Sequence, residues 1–577
     1  MKSAFLSIIL VFISICSRAQ VKELHVGNTL EMKIFKDQNH EYVISLKRGE
    51  YAQFTIMQKG VDLAIDVITP KGEKLKTFDS PNGDEGPEEI AFDAIMPGKY
   101  KIKIYPFIEA NVADTLLARL KEDNQGLYNI EKVAILSPVE RQKILAAEKR
   151  NQQQFIDWIT AVARPLNSVT AGSGFDDLQW LKPVLNNVDY VGLGEATHGT
   201  REIFQMKHRM LEFLVKEMGF TIFAIEAPYA GCKNINDYVL YGNGDARTAL
   251  NSQGFWTWNT EEVIELIEWM RTYNTTVPDT KKVQFYGFDI SVSSLGGGVS
   301  RLHNYLKKVD MITANANDTL MKNLYSLEGK FNGDSANQAK QKFSTLLNTL
   351  VLRRSHYILA SSTKEYEDAL QYATIIAQLQ DAYIMEKTDI RVREREWRDY
   401  YMAANFHYLV QHNPDAKVVL WAHNSHINKN AEAYVNGGLK PIGSYLNDAY
   451  GSKYYPMAFA FSKGSFQALE LNPKKNRVLR EFTVPSAKEG MLDWYLAQSK
   501  KDKFIIDLRQ KNIPEPVQQM LKKELGTRNY GAVASDTGLE YFRSVSLSKD
   551  FDAVIFINNT TRARPTQSVK TKFGIKE

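Results

Sequence analysis

Residues 191–200 read Val-Gly-Leu-Gly-Glu-Ala-Thr-His-Gly-Thr, an apolar run that breaks into a glycine-loosened turn carrying Glu195 and His198. A helical pattern follows at once. Ile203, Phe204, Met206, Met210, Leu211, Leu214 and Met218 fall on one face of the stretch from Arg201 to Met218. Tyr190 to Leu193 before the turn and Thr221 to Ile225 after the helix have the length and apolar content of buried strands. Strand, helix and strand in that order form the unit from which parallel sheets are built. Further runs of the same kind occur at Val283 to Phe288, Lys417 to Trp421, Pro456 to Phe461, Phe504 to Ile506 and Ala553 to Ile557. The expected fold is therefore α/β, a largely parallel sheet with flanking helices. Between about residues 300 and 407 the pattern is helical without strand runs, which predicts a helical insertion. Insertions of that size usually cover a site or shape its mouth.

The first part of the chain is built differently. Tyr42 to Leu46, Tyr51 to Ile56 and Leu63 to Ile68 are short mixed runs separated by turn clusters such as Lys47-Arg48-Gly49 and Pro70-Lys71-Gly72. Their close spacing predicts a small all-β sandwich over residues 20–111, preceding the α/β domain. Residues 112–165 favour Ala, Glu, Lys, Arg and Gln and read as a helical connector. The α/β domain then occupies residues 166–577. Residues 1–19, with Lys2, an apolar core from Ala4 to Ile15 and Ser17-Arg18-Ala19, read as a secretory signal peptide. The chain is thus expected to be exported, to the periplasm or beyond. Cys16 raises a lipoprotein alternative, but Ile15 before it is too bulky for the usual lipidation signal.

Composition excludes several classes. The net charge of +5 over 577 residues is no nucleic-acid footprint, and it gives no support to a membrane-surface role. No later segment reaches membrane-spanning length. With Cys16 in the leader, Cys232 has no partner for an intrachain disulfide, and a multi-cysteine metal site is impossible.

The chemistry gathers at the strand ends. Glu195 and His198 follow the first strand, Glu226 the second and Asp289 the third, while His423 and His426 follow Trp421. In a parallel sheet these ends lie side by side at one edge, where open α/β folds bind ligands. Imidazoles beside carboxylates suit the activation of water, the carboxylate orienting the ring and stabilising its cation. The amino end of the helix after Gly199 could offer N–H groups to an anionic intermediate. No G-x-S-x-G elbow, phosphate loop or H-E-x-x-H helix occurs. Trp256, with Phe255 and Trp258, reads as pocket lining, and Arg398-Asp399 as a further polar pair.

Taken together, GEATHGTREIFQMKHRMLEFLVKEMGF, FAIEAP, YGFDIS, the RD-x-x-MA-x-N pattern from Arg398 to Asn405, and VVLWAHNSH resemble the erythromycin esterase family over roughly residues 150–560. The sandwich lies outside that match and is similar to pre-peptidase-type domains. The resemblance implies a hydrolase of macrolide lactones, hence antibiotic resistance, that needs no metal or other cofactor. It implies His198 as the base that activates water, with Glu195, Glu226, His423 and His426 as further catalytic residues. Lys207 stands nine residues after His198, where macrolide-cleaving members tend to carry arginine; either Lys207 or Arg209 then meets substrate in its place, or the substrate differs, and Asp289, Arg398 and Trp256 are the further expected substrate contacts. The expected partner is a small ester or lactone, with a glycan or protein as possible contacts of the sandwich. Two other readings stay open: a metal-dependent hydrolase or peptidase using the same His and Glu cluster, and a non-catalytic binding protein.

Overall fold

The computed structural model describes residues 22–35, 38–79, 85–107, 125–290, 295–326, 334–388, 394–431, 440–470, 478–535 and 542–575. The leader expected over residues 1–19 lies outside them. The chain divides into two compact units between Arg150 and Asn151.

The first unit is a sandwich of two sheets. One orders its strands Lys22–Glu23, His40–Leu46, Gly98–Pro106, Leu63–Ile68 and Lys74–Phe78; the other Leu30–Phe35, Gln125–Leu136, Tyr51–Lys59 and Glu85–Asp93. Alternating residues such as Ile44, Phe54, Ile65, Tyr100 and Ile102 fill the space between them. The helical connector needs correction. Gln125–Leu136 is a strand, antiparallel to both Leu30–Phe35 and Tyr51–Lys59. Tyr128, Ile130 and Val133 enter the core, and Lys132, at φ 55°, lets the chain step past a register shift without leaving the sheet. Helix begins only at Pro138, after a capping box in which the Ser137 N–H donates to Glu140 Oε2 at 2.8 Å and the Glu140 N–H to Ser137 Oγ at 3.3 Å.

The second unit carries the predicted sheet. Its principal strands are β1 (Tyr190–Leu193), β2 (Phe220–Pro228), β3 (Gln284–Asp289), β4 (Lys417–Trp421), β5 (Tyr454–Glu470), β6 (Lys503–Asp507) and β7 (Ala553–Thr560). Across the sheet they run β6, β7, β5, β1, β4, β2, β3, parallel except for β6. Helix α1 (Arg201–Met218) spans the predicted residues and ends on Gly219 in the left-handed conformation. Each strand is apolar on both faces because both faces are covered. Ile222, Ala224, Val418 and Leu420 join one core with the helical insertion, while Phe223, Ile225, Val419 and Trp421 join another with α1 and α2 (Glu261–Thr276). Helices occupy the described residues from Leu295 to His412, ending with α3 (Glu394–His412). Among the described residues no helix is long and apolar enough to cross a membrane.

Strand β5 runs nine residues past the predicted Phe461. Gly464 makes this possible: at φ +123° it bends the strand out of the parallel sheet into a hairpin with Leu479–Val484. A Cβ there would stand 2.1 Å from the Thr560 carbonyl oxygen of β7. Gly464→Ala should therefore cost roughly 3 kcal/mol, read as a lowered urea midpoint. An unchanged midpoint would show that the bend relaxes freely.

Candidate active site

Register brings the site together. Leu193 lies opposite Trp421, Trp421 opposite Ile225, and Ile225 opposite Gly287. The residues just beyond these positions consequently share one edge, with Glu226 and Asp289 at the carboxyl ends of β2 and β3 themselves.

Glycine lets the strand-end loops close on one another. A Cβ at Gly194 would meet Asn424 Oδ1 at 2.1 Å. The Asn424 amide in turn pairs with the Phe459 backbone like a short strand, accepting its N–H at 3.0 Å and donating to its carbonyl at 2.8 Å. At Gly199 a Cβ would collide with the Gln467 carbonyl, so only glycine fits between the loop and β5.

Within this frame Glu195 is wholly buried and fully engaged. Its Oε1 accepts from His198 Nδ1 at 2.5 Å; its Oε2 accepts from Lys207 Nζ at 2.7 Å and from Trp421 Nε1 at 2.9 Å. The carboxylate fixes the His198 tautomer with its proton on Nδ1, which leaves Nε2 as the basic nitrogen. Among the described residues Nε2 has no hydrogen-bond partner, and the His198 side chain is 12% exposed. Trp258 stands edge-on to the ring at 5.2 Å and donates its indole N–H to the Glu226 carbonyl.

A second network lies beside it. Arg398, from α3, gives Asp289 two hydrogen bonds of 2.8 Å and Glu226 one of 2.7 Å. His426 donates from Nδ1 to Asp399 at 2.7 Å and from Nε2 to Glu226 Oε1 at 3.2 Å. Burial alone would depress this imidazole, but Asp399 and Glu226 together raise its pKa to about 10. It is a fixed cation. Burial would likewise raise the Glu226 carboxyl, yet the charges of His426 and Arg398 hold it well below its ordinary value. A protonated His426 Nε2 has no lone pair for Arg398 Nη1, 3.3 Å away, so that nitrogen keeps its N–H groups for another acceptor. Arg398 is 23% exposed, unlike its two carboxylate partners.

His423 takes the opposite state. Its Nε2–H donates to the Tyr530 carbonyl at 3.1 Å and its Nδ1 accepts from the Ser425 N–H at 3.2 Å, while its backbone N–H binds Glu226. Burial first, and His198 second, push its pKa well below the usual imidazole value. The ring is neutral and pinned, 5.1 Å from that of His198.

Glu195, His198, Glu226, Asp289, Arg398, His423 and His426 thus converge. Of the three other predicted contacts, Arg209 and Trp256 lie elsewhere and Lys207 reaches the site without facing a ligand. Arg209 faces away, bound to Asp177 and to the carbonyls of Ser168 and Gly174, because it lies two residues and about 200° around α1 from Lys207. Lys207 reaches the site but is completely buried, so it holds Glu195 rather than a ligand. Trp256 packs with Leu469, Leu479 and Val569; the aromatic wall beside His198 is Trp258. At the amino end of α1 the Arg201 N–H is bonded to the Thr561 carbonyl. Trp421 and Asp399 lie inside the quoted motifs, and the structure adds their roles, Trp421 as donor to Glu195 and Asp399 as acceptor from His426. Nothing in the sequence signals the Tyr530 carbonyl.

Among the described residues no three His, Cys, Asp or Glu side chains are grouped to hold a metal ion. His426 donates from both nitrogens, a state without a lone pair for a metal.

The second unit is thus an α/β domain with a histidine–carboxylate pair and a charged network at the carboxyl edge of a largely parallel sheet. The erythromycin esterase family matches residues 215–560, and the chain belongs to that family of hydrolases. Erythromycin esterase type II of Escherichia coli is 24% identical over 394 residues, covering 64% of this chain and 91% of its own. A crystal structure of a Bacillus cereus protein superposes with a TM-score of 0.64 at 25% identity, covering 72% of this chain and 99% of that one. A variant of the erythromycin esterase EreC in its open conformation gives 0.53 at 16% identity, covering 68% and 96%.

The state of His426 has a stability signature. Its folded pKa of about 10 lies above the ordinary 6.5, so its contribution is complete below pH 6.5 and is lost as pH rises through about 10. The stability gap between the wild type and His426→Gln should narrow between about pH 7 and pH 10 in urea titrations. A gap that does not change over this range would mean that the ring is neutral.

Proposed function

We propose that the chain hydrolyses a carboxylic ester or lactone with water activated by His198 and without a required metal. The observation that supports this most directly is the His198–Glu195 pair, with Nε2 partly exposed at the carboxyl edge of the sheet. Nε2 takes a proton from water as oxygen attacks the carbonyl carbon. Glu195 stabilises the resulting imidazolium. The surrounding charges favour this step: Glu226, Asp289 and Asp399 face Arg398 and His426, one negative charge in excess. The Arg398 Nη1 donors are available to the developing oxyanion. His423 and His426 are poor proton donors in their observed states, one neutral and pinned, the other held between carboxylates. The leaving alcohol therefore receives its proton from His198 itself, which restores the base and balances the reaction as addition of one water. A macrolide lactone is the first substrate to test, because the E. coli relative is named as an erythromycin esterase. The basic and apolar leader residues support export, with the sandwich as a binding or spacer unit.

The purified chain should convert erythromycin, or a member of an ester and lactone panel, into a product heavier by one water. His198→Ala should lower kcat/KM by about 10³ or more, and a chelator should leave the wild-type rate unchanged. Loss of the rate on chelation, restored by a divalent metal, would instead support the metal-dependent reading.

Lys207 sets a second expectation. Burial first lowers its pKa to about 8 against the opposing pull of Glu195. The ammonium that holds Glu195 is therefore lost as pH rises through about 8, and activity should fall there. Lys207→Arg, whose guanidinium stays charged, should move that limb upward by about a unit or more. An unmoved limb would assign the ionisation to another group.

A further inference from the structure

Helix α1 has a second polar face. Gln205, His208 and Glu212 lie roughly 100–160° around the helix from Lys207, turned away from the His198 site. With Glu262, Glu265 and Trp269 of α2, and the turn at Thr170–Gly172, they line a cavity of about 320 Å³.

Of the three carboxylates here, Glu212 is the one without an ion pair among the described residues. Arg564 serves Glu262 and Glu265 together, at 2.8 and 2.6 Å, and Arg201 stands 3.5 Å from Glu262. Glu212, almost fully buried, accepts one backbone N–H, from Gly172 at 2.6 Å, and among the described residues it has no ion pair. Among the described residues neither nearby cation of α1 bonds Glu212, although Lys216 stands over Trp269 at the edge of the cavity. Arg209 is bound to Asp177, and Lys216 lies 5.8 and 5.7 Å from the rings of Phe175 and Trp269. A separate observation points to a ligand: His208 is 6% exposed, it lines the cavity, and its Nε2 is buried with no hydrogen-bond partner. A buried polar atom left in this way calls for a partner, and a water or a ligand in the cavity could supply it.

We propose that this cavity binds a small organic cation, a primary ammonium or a guanidinium, whose N–H groups reach Glu212 and His208 Nε2. Burial, and then Lys216, lower the His208 pKa to about 3, so the ring stays neutral and can offer a lone pair. A ligand with its own N–H donors suits these acceptors better than a metal ion, since no metal-holding group of His, Cys, Asp or Glu forms among the described residues. The volume admits a group the size of an amino sugar or a short alkylamine. The proposal does not depend on the hydrolytic reading, because none of its residues belongs to the His198 networks.

The test is calorimetric titration of the full chain with n-butylammonium and n-butylguanidinium, beside n-butanol and magnesium. The expected result is millimolar or tighter binding of one or both organic cations, with butanol about tenfold weaker or undetectable. Glu212→Gln, which keeps shape and the Gly172 contact, should weaken cation binding by about tenfold or more. His198→Ala should leave it unchanged. Should Glu212→Gln fail to fold, His208→Leu carries the same expectation. Equal binding of butanol, preference for magnesium, binding indifferent to these variants, or its loss in His198→Ala would each overturn the proposal.

Discussion

The Arg398 guanidinium ties together two parts of the protein that are far apart in sequence. It comes from the last helix of the insertion, while Glu226 and Asp289 come from adjacent strands of the sheet. Both carboxylates are buried, and a buried carboxylate without its cation costs several kcal/mol. The insertion therefore cannot move off the sheet edge without stripping Asp289 of its cation and leaving Glu226 with His426 alone. Asp399, the next residue of the same helix, extends the constraint to His426 and to the backbone N–H of Ile442. One turn of helix thus sets the positions of two carboxylates and an imidazole.

The two networks divide the chemistry between them. Glu195, Lys207 and Trp421 determine the tautomer of His198, and Arg398, Glu226 and His426 hold charge that does not change over the neutral pH range. His423 stands between them as a neutral ring. Its neutrality matters, because a charge 5 Å away would oppose any proton arriving on His198. The Tyr530 carbonyl enforces that state by accepting the Nε2–H, and the Tyr530 N–H binds the Ala196 carbonyl. The loop after Arg528 so joins the histidine-bearing turn to the turn that carries His198.

Much of this was legible because strand ends in a parallel sheet converge whatever connects them. Glu195, Glu226, Asp289 and His423 each follow an apolar run, and the runs became strands nearly as read. What the sequence concealed were direction and occupancy. Periodicity placed Lys207 and Arg209 on one helix but did not say that Lys207 would be sealed under Trp421 while Arg209 reached Asp177. Trp256 and Trp258 differ only in which side of an irregular turn they leave. The strand Gln125–Leu136 was masked by its neighbours: its alternating Tyr128, Ile130 and Val133 sit beside a helix rich in Ala, Glu and Gln, and a residue at positive φ breaks the period.

Lysine at position 207 also makes sense within its surroundings. An arginine fork would present two donors to a carboxylate, whereas an ammonium in this tight space presents one line of approach. Here the second donor is the Trp421 indole, so Lys207 and Trp421 together make the two-point grip on Glu195 Oε2. The Lys207 ammonium lies 4.3 Å from the centroid of the same indole, which offsets part of its desolvation. The tryptophan before the histidine motif is thus a donor to the carboxylate and a support for the cation at once. This ties the chemistry of the His198 turn to the residue that ends β4, and makes the lysine a coherent alternative to arginine at this position.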